Sequence, residues 1–555
     1  MSHSARRWSL LVAVPLLAGC LLGGLLGDRV RADAQQAEDG LWAFGRILAL
    51  LEDEYVGETD SERLVESAID GLLSGLDPHS NYLDIDSFSE MRDEQRGRFH
   101  GLGIQITKRG PDKPLTIIAP IDDTPAWRAG LLSGDIIAEI EGEPTIDLTV
   151  QQAVRRLKGD KGTKVTVTIE RPGLGQPFQV TIERDEIPIQ SVRVSYMVSP
   201  DTGVVRIGNF NTTTADELDK AIAHLATQGM TRLILDLRSN PGGLLEQAVE
   251  VSERFIEPGK LIVYTKGRIP GANQRFEARK TRAHVDMPLI VLVDGSSASA
   301  SEIVSGAVQD HDRGLVVGET TFGKGLVQRV IPIHAGDAGA LAVTTAKYYT
   351  PSGRLIQRDY TDIEEYYLAQ RDDLDEEDGN LPPTTRRETP ERSEPEREIF
   401  HTVSGRKVFG GGGITPDHIV KTPRPADLWF ELNRENLLFD YAVQFVARHP
   451  GLEKGFAVDD AMRQEFQAFL REKKFEFTNE GFEAARAEID LRLRAQIARI
   501  KWDQVEEARI RADGDPQIQA ALKLFGEAES LRQQTERRQA GDGGDLHAGA
   551  TTLPL

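Results

Sequence analysis

Apolar positions along the chain change their spacing from one stretch to the next, and each change marks a unit. Between 41 and 75 they recur at helical spacing: Leu41, Phe44, Ile47, Leu48, Leu51 and Tyr55, then Leu64, Ala68, Ile69, Leu72 and Leu73. This predicts a small helical segment, closed by the turn at Asp77-Pro78-His79-Ser80. From 98 to 185 short apolar runs alternate with Gly and Pro turns, as in Ile104-Gln105-Ile106, Leu115 to Ile118, Asp135 to Ile140 and Val165 to Ile169. One amphipathic stretch, 149–157, lies among them, so the segment predicts a compact, mostly β module. From 203 strands and helices alternate. Strands are predicted at Val204 to Ile207, Leu233 to Leu237, Pro288 to Val293 and Leu315 to Val317, with helices at 214–227, 244–256 and 300–310. That order implies α/β architecture, with helices covering a sheet. Residues 427–535 return to helical spacing, with Phe466, Phe469 and Leu470 and then Leu491, Ile497 and Ile500 on apolar faces.

The ends of the chain and one internal stretch differ. Arg6 and Arg7 precede an uncharged run from Trp8 to Gly27, a basic start and apolar core that read as an export signal. The run is long enough to span a bilayer as a helix. Leu17-Ala18-Gly19-Cys20 also reads as a lipoprotein box with Cys20 as the lipidated residue, although Leu21 to Leu26 continues the apolar run. An uncleaved anchor, a cleaved signal and a lipoprotein all place the bulk of the chain outside the cytoplasm. Residues 361–400 hold 14 acidic and 5 basic residues and several prolines, which reads as a solvated, disordered insertion. The boundaries read as 1–35 for the signal or anchor, 36–97 for the helical segment and 98–185 for the β module. The α/β core follows at 186–360, then the acidic insertion at 361–400, a return to the core at 401–426, the helical region at 427–540 and a disordered tail at 541–555.

The chain has 555 residues, too many for one core, and an ordinary 39% of hydrophobic residues. Its net charge of −22 argues against nucleic acid as a partner, since phosphate binding needs a basic face. A single cysteine excludes a disulfide framework and a multi-cysteine zinc site, and no set of His, Asp and Glu residues has metal-ligand spacing. Neither a cofactor nor a metal is expected.

The sharpest chemical segment is Asp294-Gly295-Ser296-Ser297-Ala298-Ser299-Ala300-Ser301-Glu302. A buried strand ends, small residues turn the chain and a helix begins, which exposes a serine beside backbone N–H groups. That suits a nucleophile whose intermediate carries an oxyanion. The plainer reading is a capping box, Ser299 with Glu302. A nucleophilic serine needs a base. His311 stands twelve residues along the same helix, roughly 18 Å away. Lys324 is the other candidate, in Phe322-Gly323-Lys324-Gly325, with Gln328 on the same face if a strand follows. Lysine acts as a base only when neutral, which burial favours; the plainer reading is a surface lysine on a glycine turn. Gly318 to Lys324 makes most of a phosphate loop, but Gly325 replaces the hydroxyl residue and a strand follows, so nucleotide binding is excluded. Ser239-Asn240-Pro241-Gly242-Gly243 reads either as a tight turn or as a source of free N–H groups. Gly101-Leu102-Gly103-Ile104 reads either as a glycine turn or as a carboxylate-binding loop that opens a strand edge.

Together these segments resemble the carboxy-terminal processing proteases, tail-specific serine peptidases with an inserted PDZ domain. The resemblance runs from about 41 to 425, in the family's order. It is carried by Leu76 to Leu83, Gly101-Leu102-Gly103-Ile104, Ala129-Gly130-Leu131, Gly134 to Ile137, Asp236 to Gly243, Ser297 to Glu302, Gly323-Lys324-Gly325 with Gln328, and Gly410 to Asp417. It implies a multidomain α/β protein with a helical N-terminal segment, a PDZ β-module, a protease core with a Ser-Lys dyad and a helical C-terminal region. It implies Ser299 as nucleophile, Lys324 as general base and Gln328 as the residue that positions the lysine. Ala300 N–H with a Gly242 or Gly243 N–H would form the oxyanion hole, and Leu102, Gly103 and Ile104 would bind substrate C-termini. Expected partners are proteins with accessible C-termini, the membrane through the N-terminus, and a second copy or an adaptor. The rival readings are a non-catalytic PDZ scaffold on a protease-like fold and an enzyme acting on acyl thioesters. The acidic insertion and the region beyond 427 depart from the family pattern.

Overall fold

The computed structural model describes residues 38–110, 112–279, 284, 286–333, 339–361, 366 and 397–542. The expected leader with Cys20, most of the acidic insertion and the last residues lie outside the described residues. The chain divides into two units at Tyr82. The first holds two helices, 38–54 and Ser61–Ser74. Asp60 caps the second by accepting Arg63 N–H. The Asp77 carboxylate accepts from the N–H groups of His79 and Ser80 and from the Ser80 hydroxyl, which makes this segment a side-chain-locked turn.

The second unit, from Leu83, is built round a six-stranded sheet. Its order is Val192–Met197, Thr202–Ile207, Arg232–Asp236, Leu289–Val293, Leu315–Gly318 and His418–Ile419, antiparallel in the first pair and parallel after it. Central strands covered on both faces read as near-continuous apolar runs, and alternation sorts their residues into two cores. Val205, Leu233, Leu235, Val291 and Val293 pack under helices Thr214–Thr227, Leu245–Glu253 and Ala300–Asp310. Val204, Ile234, Ile290, Leu292 and Val317 pack instead against Ala512, Ile518, Ala521, Phe525 and Ala528 of the C-terminal helices Gln504–Ala512 and Pro516–Asp542. An antiparallel sheet adjoins this core, in which Ala340–Tyr349 pairs with Leu326–Pro332 and with Leu261–Gly267.

The β module has its own core of Leu102, Leu115, Ile117, Ile137, Val165, Val167 and Ile169. Strand Ile104–Thr107 is the edge of its sheet and, among the described residues, pairs only with Thr116–Pro120. Helix Val150–Leu157 starts on a Thr149–Gln152 capping box. Buried Asp135 accepts two bonds of 2.7 Å from Arg171, and strands Arg98–Gly101 and Asp185–Pro188 pair where the module leaves and rejoins the core. Beyond 427, five helices enclose Trp429, Leu432, Tyr441, Phe466 and Phe482.

The expected solvated stretch at 361–400 is corrected at both ends. Tyr366 is buried, edge-on to Phe322, and residues 399–400 belong to strand Ile399–His401, paired with Lys407–Phe409. A window average of charge hides single apolar residues that find a core. No helix among the described residues is long and apolar enough to cross a membrane.

Candidate active site

Strand Leu289–Val293, buried at all five positions, delivers the chain to Asp294. The Asp294 carboxylate accepts from the N–H groups of Ser239 and Ser296, at 2.9 and 3.1 Å. It therefore braces the turn after Arg232–Asp236 against the turn that carries Ser299. Burial pushes the Asp294 carboxyl up, against the Ser239 N–H that favours its charge. Ser299 lies at φ 53°, ψ −109°, a conformation that residues with a side chain rarely adopt, and helix Ala300–Asp310 begins directly after it. The neighbouring loops hold that backbone in place.

The main tie is Glu302, which is fully buried. Its carboxylate accepts from Ser299 N–H at 2.8 Å, Lys324 N–H at 2.9 Å, Gly323 N–H at 2.7 Å and the Thr321 hydroxyl at 2.6 Å. The Ser299–Glu302 bond is the return half of a capping box, but the same carboxylate also gathers the lysine segment. Burial raises the Glu302 carboxyl above its ordinary range, while its donors oppose the shift. A second tie is the Tyr348 hydroxyl, 3.1 Å from Ser299 O and 2.6 Å from Lys324 O. Lys324 Nζ donates to Gln328 Oε1 at 2.8 Å. The strand after the lysine is Leu326–Pro332, with a bulge between Val327 and Gln328. Phe322, Ala298 and Tyr366 form a buried apolar cluster beside these segments.

The glycine turn meets the serine. A Cβ on Gly242 would lie 2.8 Å from Ser299 Cβ and 3.0 Å from Ala300 N. The two candidate glycine N–H groups differ. Gly242 N–H is engaged by the buried Asn240 side chain at 2.9 Å, whereas no acceptor among the described residues takes the N–H of Gly243 or Ala300. Of the pair, Gly243 is thus the one with a donor to offer, and Gly242 supplies close approach.

Leu102, Gly103 and Ile104 come together at the start of the module's edge strand. Leu102 is buried, and Gly103 stands at φ 78° where a Cβ would strike Thr124 at 2.3 Å. No acceptor among the described residues takes the N–H of Leu102 or Gly103. His311 caps the far end of the helix that Ser299 begins and bonds Leu261 O at 2.6 Å, away from the serine. Gly413 of the 410–413 run abuts Thr321 O, supporting the lysine segment from behind. A cavity of about 2140 Å³ between β module, sheet and C-terminal helices reaches Ser239, Asp294 and Ser296 but not Ser299 or Lys324.

Sequence reasoning saw Glu302 only as a cap and missed Asp294, Asn240 and Tyr348. Glu302 had a signal, because an acid that ends up buried needs more donors than one cap supplies. Tyr348, 24 residues from Lys324, had none. The arrangement holds a serine on a strained turn, a half-buried lysine whose backbone N–H meets the same carboxylate, and two N–H groups that no described residue accepts, a layout fit for acyl transfer.

Residues 201–365 match Peptidase family S41, 116–171 a PDZ domain, 428–481 the C-terminal helical domain of probable PDZ-proteases, and 28–87 the N-terminal domain of the activating protease CtpB. The carboxy-terminal-processing protease of Bartonella bacilliformis is 43% identical over 318 residues, which is 57% of this chain and 72% of that protein. Carboxy-terminal processing protease CtpA of Bacillus subtilis is 36% identical over 362 residues, covering 64% of this chain and 76% of that one. Among solved structures, the photosystem II D1 C-terminal processing protease covers 56% of this chain and 82% of its own, at 29% identity and a TM-score of 0.32. By these sequence matches the chain belongs to the PDZ-containing carboxy-terminal processing proteases of peptidase family S41.

Proposed function

We propose that the chain is a serine endopeptidase with a Ser299–Lys324 dyad, acting outside the cytoplasm on proteins chosen by their C-terminal tails. Ser299 Oγ attacks the scissile carbonyl while Lys324 Nζ takes its proton. Ala300 and Gly243 N–H groups receive the oxyanion. The proton passes to the leaving amine, and water, activated by the same lysine, hydrolyses the acyl-enzyme and restores Ser299. Gln328 holds the amine in place. The observation that carries this reading is the Glu302 carboxylate, which joins the backbones of Ser299 and Lys324, together with the 2.8 Å Lys324–Gln328 contact. Tails enter by strand addition at Ile104–Thr107, with their carboxylate at Leu102 and Gly103.

The test is cleavage of an unfolded protein with an apolar C-terminus. Ser299→Ala and Lys324→Ala should each abolish it, and Ser299→Ala should trap substrates in a membrane fraction. Unchanged cleavage in both variants would sink the dyad, and a wild-type chain that cleaves nothing would return it to the scaffold reading. The arginine-led apolar run Trp8 to Gly27 supports export and membrane attachment. Mass spectrometry of the mature N-terminus decides between an intact anchor, a cleaved signal and a lipid on Cys20; an intact, cytoplasmic chain would overturn export.

A further inference from the structure

Helix Pro516–Asp542 does more than cover the sheet. The sheet's second face is already closed by apolar residues, Ile518, Ala521, Phe525 and Ala528. Yet the first turn of this helix carries a fully buried polar side chain, Gln517. A buried polar network adds little stability over apolar packing, so its presence asks for another reason. Gln517 Oε1 accepts from Arg238 Nη1 at 3.1 Å, and its Nε2 donates to Val420 O at 2.8 Å and Thr422 Oγ1 at 3.3 Å. Asp515 accepts from the same Arg238 Nη1 at 2.7 Å and, through its other oxygen, from the N–H groups of Gln517 and Ile518. Arg238 also grips Asp236 with two bonds, of 2.8 and 2.7 Å.

What Arg238 leads into is the loop that abuts Ser299. Ser239 follows at φ 54°, then Asn240, whose side chain holds Gly242, then Gly243, whose N–H no described residue accepts. Arg238 thus fixes the upstream end of that loop, and its outer anchor comes from the far end of the chain. The other arm of Gln517 reaches the lysine side. Thr422 N–H donates at 2.8 Å to Oε1 of Glu319, which stands five residues before Lys324 and whose own N–H donates to Val293 O, at the end of the strand that leads to Ser299. One glutamine therefore joins Arg238, ahead of the glycine loop, to Thr422, which holds Glu319 ahead of the lysine segment.

We propose that Asp515 and Gln517 are positioning residues of the protease, acting through Arg238 to hold the 239–243 loop where its N–H meets the developing oxyanion. The proposal rests on the Ser299 protease reading. The C-terminal helix is then a working strut of the site, and its register on the sheet sets the rate of the chemical step rather than the binding of substrate.

The test uses the full chain, with kcat, KM, melting temperature and the rate at which a fluorophosphonate probe labels Ser299. Asp515→Asn and Gln517→Leu should each lower kcat about tenfold, with KM held within about twofold, and slow labelling in parallel. Asp515→Glu should recover part of the loss. Phe525→Leu, on the same helix but remote from Arg238, should lower the melting temperature with kcat unchanged. If Asp515→Asn and Gln517→Leu change kcat no more than Phe525→Leu does, or act through KM alone, the strut is wrong while the protease stands. If the wild-type chain neither cleaves nor labels, the protease reading fails and the strut with it.

Discussion

Gly242 has no side chain because there is no room for one. Its built Cβ would lie 2.8 Å from Ser299 Cβ and 2.9 Å from Ala298 O, and its φ of 106° is strained for any other residue. Gly242→Ala should leave a folded protein that has lost roughly a hundredfold or more in kcat, measured on a tailed substrate. Glu302 is the converse case, a side chain that serves as an acceptor on both oxygens and is fully buried. Its two oxygens accept from four donors. Glu302→Gln turns one acceptor into a donor that faces N–H groups. We expect loss of at least about 1–3 kcal/mol in denaturant unfolding and near-complete loss of cleavage. Ser299 and Lys324 stood out as candidates because a strand–small turn–helix and a glycine-flanked lysine are local patterns, and the family resemblance chose them over a plain cap and a surface lysine. Glu302 was legible only as a cap, since the three other donors it serves come from 321–324, some twenty residues away.

Helix Ala300–Asp310 is buried along its whole length, so both of its ends carry polar devices. At its start Glu302 gathers the site. At its end Arg354, fully buried, donates to Asp310 Oδ1 and Gln309 Oε1, both at 2.7 Å, a cation where the helix dipole is negative. His311 closes the same end. Burial holds its imidazole below the ordinary value of 6.5, and a proton on Nδ1 would find no acceptor among the described residues. The folded state therefore refuses a proton that the unfolded chain binds. The stability from His311 is present above about pH 6.5 and is lost as pH falls through the lower folded value. His311→Gln should flatten the fall in melting temperature between about pH 7 and 5 relative to wild type. Helical spacing gave this helix its bounds. It gave no hint of the antiparallel sheet that brings Tyr348 to Ser299 and Lys324, because strands Leu261–Gly267 and Ala340–Tyr349 are 79 residues apart at their first positions.

The molecule places its C-terminal helices against the second face of the sheet that carries the site. Phe525 is buried there with Ile234, Ile290 and Leu292. Phe525→Ala should cost about 3–5 kcal/mol, read as one cooperative loss in thermal unfolding of sheet and helix together. Separate transitions would mean that the helical region folds on its own. The sequence by itself determined the order of modules and the strands and helices of the core, and it offered Ser299, Lys324 and Gln328 as candidates. It could do so because period, turn residues and short motifs are local, and a strand buried on both faces is apolar wherever its partners come from. Only the tertiary structure decided which glycine keeps a donor, which carboxylate joins the two halves of the site and which distant helix braces them. Those choices depend on which polar atoms are left unpaired once segments hundreds of residues apart are packed together, and no spacing along the chain records that.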